Sequence, residues 1–202
     1  MTADDVAGFE RCVAAAGVAL FPADTVYGLA SAPDAPAAVE RLYRLKGRPP
    51  DRPAAVMFFQ LEGALDALSD LGPRTRAALE RLLPGALTLV LPNPAKRYPL
   101  AAGLRVDRLG VRVPALEGVL APLTAVTAPV LQSSANRSGG HDACRLDDVD
   151  DSIRRGVDLA LDAGELPGTP STVVDLGDYE HGGGFRVLRE GAVPVSAVEQ
   201  AL

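Results

Sequence analysis

The segment from Leu20 to Pro53 constrains this sequence more than any other, because it joins a hydroxyl-rich turn to a basic loop in one compact unit. An apolar run stops at Pro22, and the turn that follows carries Thr25 before a helical pattern begins. The helical pattern ends in a loop rich in Gly and Pro that holds Lys46, Arg48 and Arg52. Basic side chains clustered on a loop indicate phosphate binding, although this stretch alone is equally typical of a solvated surface loop.

Length and composition indicate one domain over residues 1–202. The chain has 48% hydrophobic residues, enough apolar surface for a substantial core. Its net charge of -6 disfavours a protein that coats a nucleic-acid backbone, so we expect at most weak tRNA binding. No apolar run approaches the roughly 20 residues of a membrane-spanning helix, and the acidic N-terminus does not resemble a signal peptide. We therefore expect a cytoplasmic protein that does not bind a membrane.

Cysteine and histidine give little support for a metal site. Cys12 and Cys144 are far apart and in no paired motif, which is typical of reduced thiols. His141 and Cys144 have ligand-like spacing, but a structural zinc needs four ligands and the only other histidine is His181. We predict no metal site built from these residues.

The pattern of apolar residues predicts alternating strands and helices. Helices are expected at 2–16, from Pro36 to Lys46, at 61–68, 73–83, 119–126 and 147–155, and after a capping Ser196. Strands are expected at 18–21, 54–59, 87–91, 109–113, 129–132, 157–161, 172–176 and 185–188, with 92–103 a long loop. This alternation predicts the α/β class, with a single open twisted mixed sheet flanked by helices.

Cationic and hydroxyl side chains recur where apolar runs meet polar loops. Open α/β sheets place ligands at such strand ends. Familiar phosphate-loop, nucleophile-elbow and dinucleotide signatures are absent. Four or five charge-assisted hydrogen bonds of about 1.5–3 kcal/mol each would hold a triphosphate, so the set predicts a polyanion site. The set comprises Lys46, Arg48, Arg52, Arg112, Ser133, Ser134, Asn136, Ser171, Thr172 and Arg189.

Several motifs, taken in order, resemble one known family. They are FPADTVYGLA, LYRLKGRP, LPGALTLVL, LGVRVP, SSANRSG, LDAGELPGTPSTVVD and VLREGAV, and they cover nearly the whole chain. The set is similar to the YrdC/TsaC family of threonylcarbamoyl-AMP synthases, in particular to short members without a C-terminal extension. The resemblance implies one YrdC-like domain with a basic concave face. It also implies conversion of L-threonine, bicarbonate and ATP to threonylcarbamoyl-AMP and pyrophosphate, for downstream tRNA threonylcarbamoyl transferase proteins.

The resemblance also implies roles for individual residues. Lys46, Arg48, Arg52, Ser134, Asn136 and Arg189 would bind ATP, while Thr25, Arg112, Ser171 and Thr172 would hold threonine. No side chain is expected to act as a nucleophile or base, because positioning and charge neutralisation suffice for this chemistry. Mg²⁺ is expected, held by phosphates and water rather than by the protein.

Some positions depart from the family pattern. Met57 stands where many members have His, and Arg108 where a small hydroxyl residue is usual. Leu83, Ala86 and Ser133 replace a Trp, a Pro and a Pro. These departures concern the threonine contacts more than the nucleotide site.

Alternatives remain for the function and for Arg112. The chain could be a non-synthase paralogue that binds nucleotide or RNA, or a carbamoyl-transfer module of a larger maturation enzyme. Arg112 is expected to be poorly satisfied until it binds a ligand, but it could instead form an internal ion pair, for instance with Asp107 or Asp175.

Overall fold

A single nine-stranded mixed sheet organises the protein. The computed structural model describes all residues from Met1 to Leu202. The strands run in the order β7-β1-β2-β6-β3-β5-β4-β8-β9, with parallel pairs β1–β7, β3–β5 and β4–β8 and antiparallel pairs elsewhere. They are β1 Ala19–Pro22, β2 Tyr27–Ser31, β3 Ala55–Met57, β4 Leu87–Pro92, β5 Arg108–Arg112, β6 Val130–Ser134, β7 Leu159–Ala160, β8 Thr172–Asp175 and β9 Arg186–Arg189.

Seven α-helices connect and cover the strands. They are α1 Ala3–Ala14, α2 Pro36–Lys46, α3 Leu61–Ala67, α4 Pro73–Leu82, α5 Pro99–Ala102, α6 Asp151–Arg154 and α7 Val195–Ala201. Short 3-10 helices span Gly118–Ala125, Leu146–Asp148 and Tyr179–His181. None of the helices combines the length and the apolar character that crossing a bilayer requires.

The ends of α2 show how the sequence fixes the start of the basic loop. Pro36 occupies the first turn, where its missing N–H costs nothing. Gly47 ends the helix in the left-handed conformation (φ 58°), which a residue without a side chain adopts without strain. Lys46 is therefore the last helical residue, and Arg48 is already in the loop.

The sheet has one face in the core and one facing a cleft along its central strands. In β4 the side chains of Leu87, Leu89 and Leu91 are buried, while Thr88 and Val90 line the cleft. This period-two alternation separates the apolar core from the polar surface without interrupting the strand. Gly110 and Ala55 are opposite each other in the β3–β5 ladder and both line the cleft, so this part of its floor carries only a hydrogen and a methyl group.

The predicted α/β class and mixed open sheet are confirmed, and most elements lie within two residues of their expected bounds. Four local expectations were wrong. Strand β2 was not expected, because its small residues follow a turn and are buried on both sides, which removes the alternation. Helix α5 lies inside the expected loop 92–103, residues 147–155 form two short helices, and Pro194 rather than Ser196 precedes α7.

Candidate functional site

A cleft of about 440 Å³ lies over strands β3 to β6, β8 and β9 and is the most basic concave surface of the fold. Its lining includes two acidic residues, Asp142 and Asp175. Six arginines line it as well: Arg48, Arg105, Arg108, Arg112, Arg186 and Arg189. A chain with a net charge of -6 thus concentrates positive charge on one concave face.

Arg112 is the most buried of these arginines, with 4% of its surface exposed. Its Nη2 donates to Asp24 Oδ1 at 2.7 Å and to Thr25 Oγ1 at 3.3 Å, and its Nη1 donates to Gln132 Oε1 at 3.3 Å. Burial lowers the pKa of the guanidinium, and Asp24 acts in the opposite direction. Burial also raises the pKa of Asp24, against the effect of Arg112. The pair therefore forms an internal ion pair at the edge of the cleft.

This pairing confirms the alternative expectation of an internal ion pair for Arg112, with a partner other than the two named. Two of its three nitrogens, Nη1 and Nη2, donate hydrogen bonds to three side chains, and only Nε is without a partner. Its ion-pair partner is neither Asp107, which pairs with Arg105, nor Asp175, which pairs with Arg186. The partner comes from the turn before β2, and only β6 and β3 lie between β2 and β5 in the sheet.

Lys46 is buried, and its ammonium group faces the end of β6. Its Nζ donates to Asn136 O at 2.8 Å, to Asn136 Oδ1 at 2.9 Å and to the backbone carbonyl of Ser134. These three acceptors match the three protons of an ammonium group. Desolvation, with a smaller contribution from Arg48, lowers the pKa of Lys46 to about 8. Lys46 therefore holds the loop after β6 in place, and its position as a phosphate contact stays a prediction.

Arg48 and Arg189 differ from the other cleft arginines because no carboxylate pairs with them. Arg48 Nη2 donates to the backbone oxygen of Pro53 at 2.5 Å, and Arg48 also lies 5.9 Å from the centre of the Tyr43 ring. Arg189 Nη2 donates to the backbone oxygen of Ser171 at 2.7 Å. Carbonyl groups hold these two guanidinium groups without neutralising them, so their charge is available to an anion.

The remaining predicted residues divide between the cleft and the core. Ser134 and Ser171 line the cleft, and Ser171 Oγ lies 2.9 Å from Thr88 Oγ1. Thr172 does not line it, because adjacent strand residues point to opposite faces. The Thr172 hydroxyl instead donates to Val193 O at 2.5 Å, so the expectation that Thr172 lines the cavity was wrong. Arg52 is exposed on the loop beside the cleft.

Three cleft arginines that were not assigned a role are balanced by acids. Arg105 pairs with Asp107 at 3.0 Å, and Arg186 pairs with Asp175 at 3.1 Å. Arg108 Nη2 lies 2.8 Å from Asp178 Oδ1. These pairs border the outer part of the cleft and contribute less net positive charge than Arg48 and Arg189 do. Strand pairing places Asp175 opposite Arg186, whereas Asp107 is only two residues from Arg105 in the sequence.

Asp24 and Gln132 were also missed as site residues. Asp24 precedes Thr25 in the turn, and Gln132 is a polar residue inside the otherwise apolar start of β6. A polar side chain in an apolar strand was the available signal for Gln132. Met57 lies directly opposite Arg112 in the β3–β5 ladder and is fully buried.

The side chains do not form a metal site. No group of three His, Cys, Asp or Glu residues is placed to hold a metal ion. Of the two acids that line the cleft, Asp175 is already paired with Arg186. A divalent cation in this cleft would therefore need ligands from its substrate.

The fold and cleft define a class of protein, an open α/β domain with an arginine-lined cleft on one face of its sheet. A sequence profile of the Sua5/YciO/YrdC family, which carries the description "Telomere recombination", matches residues 11–191. The chain belongs to this family, which confirms the resemblance drawn from its motifs.

The chain is also similar to curated proteins named threonylcarbamoyl-AMP synthase, which agrees with this family assignment. The chain is 30% identical over 183 residues to the threonylcarbamoyl-AMP synthase of Pyrococcus abyssi, covering 90% of this chain and 52% of that protein. It is 36% identical over 159 residues to the threonylcarbamoyl-AMP synthase of Stenotrophomonas maltophilia, covering 76% and 83%. The crystal structure of P. abyssi Sua5 complexed with L-threonine superposes with a TM-score of 0.84 at 28% identity, covering 100% of this chain and 58% of that one. The chain thus spans about half the length of the P. abyssi relative.

Proposed function

We propose that this protein is an L-threonylcarbamoyladenylate synthase, which makes threonylcarbamoyl-AMP and pyrophosphate from L-threonine, bicarbonate and ATP. The observation that carries the proposal is the combination of a deeply buried Arg112 with two arginines, Arg48 and Arg189, that no carboxylate neutralises. An amino-acid carboxylate and a polyphosphate are the two anions that such a cleft suits. Relatives named threonylcarbamoyl-AMP synthase support the same reaction.

The proposed mechanism depends on positioning. Threonine binds with its carboxylate at Arg112, near Thr25 and Ser171. Its amine combines with bicarbonate to give an N-carboxylate and water. A carboxylate oxygen then attacks the α-phosphorus of ATP, and pyrophosphate leaves. Charge develops on phosphate oxygens during this step, so fixed cations accelerate it without acid–base chemistry.

The nucleotide is proposed to bind across the cleft. Arg48, Ser134 and Arg189 contact the phosphates, and Arg52 adds a further contact from the loop. Lys46 and Asn136 keep Ser134 and its loop in position. Mg²⁺ enters with ATP and is held by phosphate oxygens and water, since the protein offers no ligand set of its own.

The enzyme is proposed to act in tRNA modification. Its product is a mixed anhydride that a threonylcarbamoyl transferase would deliver to adenosine in tRNA. The cytoplasmic location and the transferase partners stay predictions. The alternative is a paralogue that binds nucleotide or RNA. Such a protein would have the same fold but would not convert ATP to the adenylate and pyrophosphate.

Pyrophosphate release from ATP tests the proposal. We expect release from the purified protein only when threonine and bicarbonate are both present. Arg48→Ala should reduce the rate strongly, whereas Arg44→Ala, on the exposed face of α2 with Glu40 as its partner, serves as the matched control. Equal release with serine, or none with any amino acid, would contradict the synthase function.

A further inference from the structure

A second cavity, of about 560 Å³, lies apart from the arginine-lined cleft and shares no lining residue with it. It opens between the C-terminal half of α1, the segment 32–35 after β2, Tyr98 and the segment 126–130 that leads into β6. Its volume is within the range of about 300–1,000 Å³ that is typical of small-molecule sites. The reaction proposed for the cleft gives this second cavity no role.

The floor of the second cavity is apolar. Phe9, Val13 and Val130 line it and are at most 5% exposed, so they belong to the core of the protein. Tyr98 forms one wall, and its ring makes an edge contact with the ring of Phe58, with 6.2 Å between the ring centres. An apolar floor with aromatic rings suits a hydrocarbon or aromatic group, and the face of an aromatic ring also attracts a cation.

The only charged residues that line the second cavity are two acids, Glu10 and Asp34. Neither carboxylate is part of a salt bridge. Glu10 Oε1 accepts one long hydrogen bond, from the backbone N–H of Thr127 at 3.4 Å. Burial raises the pKa of the Tyr98 phenol, Arg97 lowers it and the charge of Asp34 raises it, so Asp34 acts on the wall that Tyr98 forms.

The basic side chains that are close in sequence do not neutralise these two acids. Arg97 forms its salt bridge with Asp70. Arg11 follows Glu10 in α1 but lines a different depression of the surface. The second cavity therefore combines an apolar floor with uncompensated negative charge, and the complementary ligand is apolar and positively charged.

We propose that the second cavity binds a small organic cation with an apolar body, whose charged group pairs with Glu10 and Asp34 and whose apolar part contacts Phe9 and Tyr98. Removal of the apolar part from water stabilises the complex. The two acids select a cation over a neutral molecule of the same shape. This site is independent of the synthase function, because no residue of the cleft takes part in it.

Fluorescence titration with two naphthalene probes tests the selection of a cation. The probes are 2-(1-naphthyl)ethylamine, which is protonated at neutral pH, and the uncharged 2-(1-naphthyl)ethanol. We expect the wild-type protein to bind the amine roughly 5- to 30-fold more tightly, the factor that one or two partly exposed ion pairs provide. In the double variant Glu10→Gln and Asp34→Asn this preference should fall below about twofold, with the affinity for the alcohol nearly unchanged. Asp4→Asn, which removes an exposed acid of α1 outside the cavity, is the matched control and should keep the preference.

A third variant tests where the probes bind. Ala128 is an exposed residue of the lining, so Ala128→Trp places a large side chain at the cavity and should weaken both probes about tenfold or more. Probes that bind Ala128→Trp as tightly as the wild type bind elsewhere, and the proposal is then wrong. Equal affinity of the wild type for the amine and the alcohol, or no binding of the amine, also overturns it. A dimer in sedimentation experiments that Ala128→Trp abolishes would show that a second copy of the chain covers the cavity, which contradicts the proposal as well. Pyrophosphate release reports separately on the synthase function.

Discussion

Lys46 Nζ donates to both oxygens of Asn136, at 2.8 Å to the backbone carbonyl and at 2.9 Å to the side-chain carbonyl. The same Asn136 side-chain oxygen accepts from Ser134 Oγ at 2.7 Å, and Asn136 Nδ2 donates to Gly140 O at 2.5 Å. The end of α2 and the loop after β6 are therefore one unit, although the sequence separates them by about ninety residues.

Replacing Lys46 should lower stability as well as nucleotide affinity. In Lys46→Met, buried carbonyl oxygens of the loop lose their donor, at a cost of about 2 kcal/mol in the free energy of unfolding. For a chain of this size the melting temperature should fall by roughly 4–8 °C. Arg48→Ala is the matched comparison, and we expect it to weaken ATP binding without a comparable fall. A Lys46→Met protein with wild-type melting temperature would show that the buried network is not structural.

Alkaline pH should weaken ATP binding through Lys46. Its pKa in the folded protein is about 8, below the value of 10.5 for a free side chain, because burial disfavours the charged form. Between these values the folded protein has released a proton that the unfolded chain keeps, so the contribution of Lys46 to the free energy of unfolding rises with pH. The loss of positive charge lowers ATP affinity over the same window.

Titrations of ATP at pH 7 and pH 9.5 would measure this effect. The nearby charged groups are Arg48 and Asp142. Lys46→Arg keeps its charge throughout and should show a flatter dependence. An equally steep dependence in that variant would assign the effect to another group.

Removing Arg112 should be strongly destabilising. The variant Arg112→Ala leaves Asp24 buried without its counter-charge. Breaking a buried ion pair in this way costs about 3–5 kcal/mol. Replacing both residues, with Arg112→Met and Asp24→Asn, should recover much of the loss in thermal unfolding, because no unpaired charge remains. Threonine binding should be absent in both proteins. A single variant as stable as the wild type would contradict the pairing.

Arg189 should contribute to nucleotide affinity with little effect on stability. Its guanidinium donates to the Ser171 carbonyl and hydroxyl groups and has no acidic partner. We expect Arg189→Ala to weaken ATP binding about tenfold or more, the equivalent of one lost charge-assisted hydrogen bond. Arg186→Ala, three residues away and neutralised by Asp175, is the control and should change affinity less. Equal effects of the two variants would exclude a special role for the uncompensated charge.

RNA binding should be weak and nonspecific. The net charge of -6 opposes approach to a phosphate backbone. In a salt titration monitored by fluorescence anisotropy, we expect little binding of tRNA at physiological ionic strength. Tight binding with a steep salt dependence would instead favour the RNA-binding alternative.

Local sequence patterns were sufficient to predict the class of fold and the regions that form the cleft. Apolar periodicity and the glycine and proline residues at element ends are local properties, so they identified most helices and strands. The ordered motifs identified the family, and Arg48, Ser134, Ser171 and Arg189 were marked by their positions at strand ends or on the basic loop. The residues that indicate each helix, strand or site position lie within a few positions of it in the sequence.

Which polar side chains form hydrogen bonds and ion pairs with each other depends on the folded structure. Asp24 and Arg112 are 88 residues apart, and their pairing depends on the order in which distant strands enter the sheet. Lys46 turns inward to backbone oxygens, and Thr172 turns away from the cleft, because packing on either side of the sheet fixes the direction of each side chain. Hydrogen bonds and ion pairs act over a few ångströms. The sequence therefore does not show which distant residue will lie close enough to a charged side chain to pair with it.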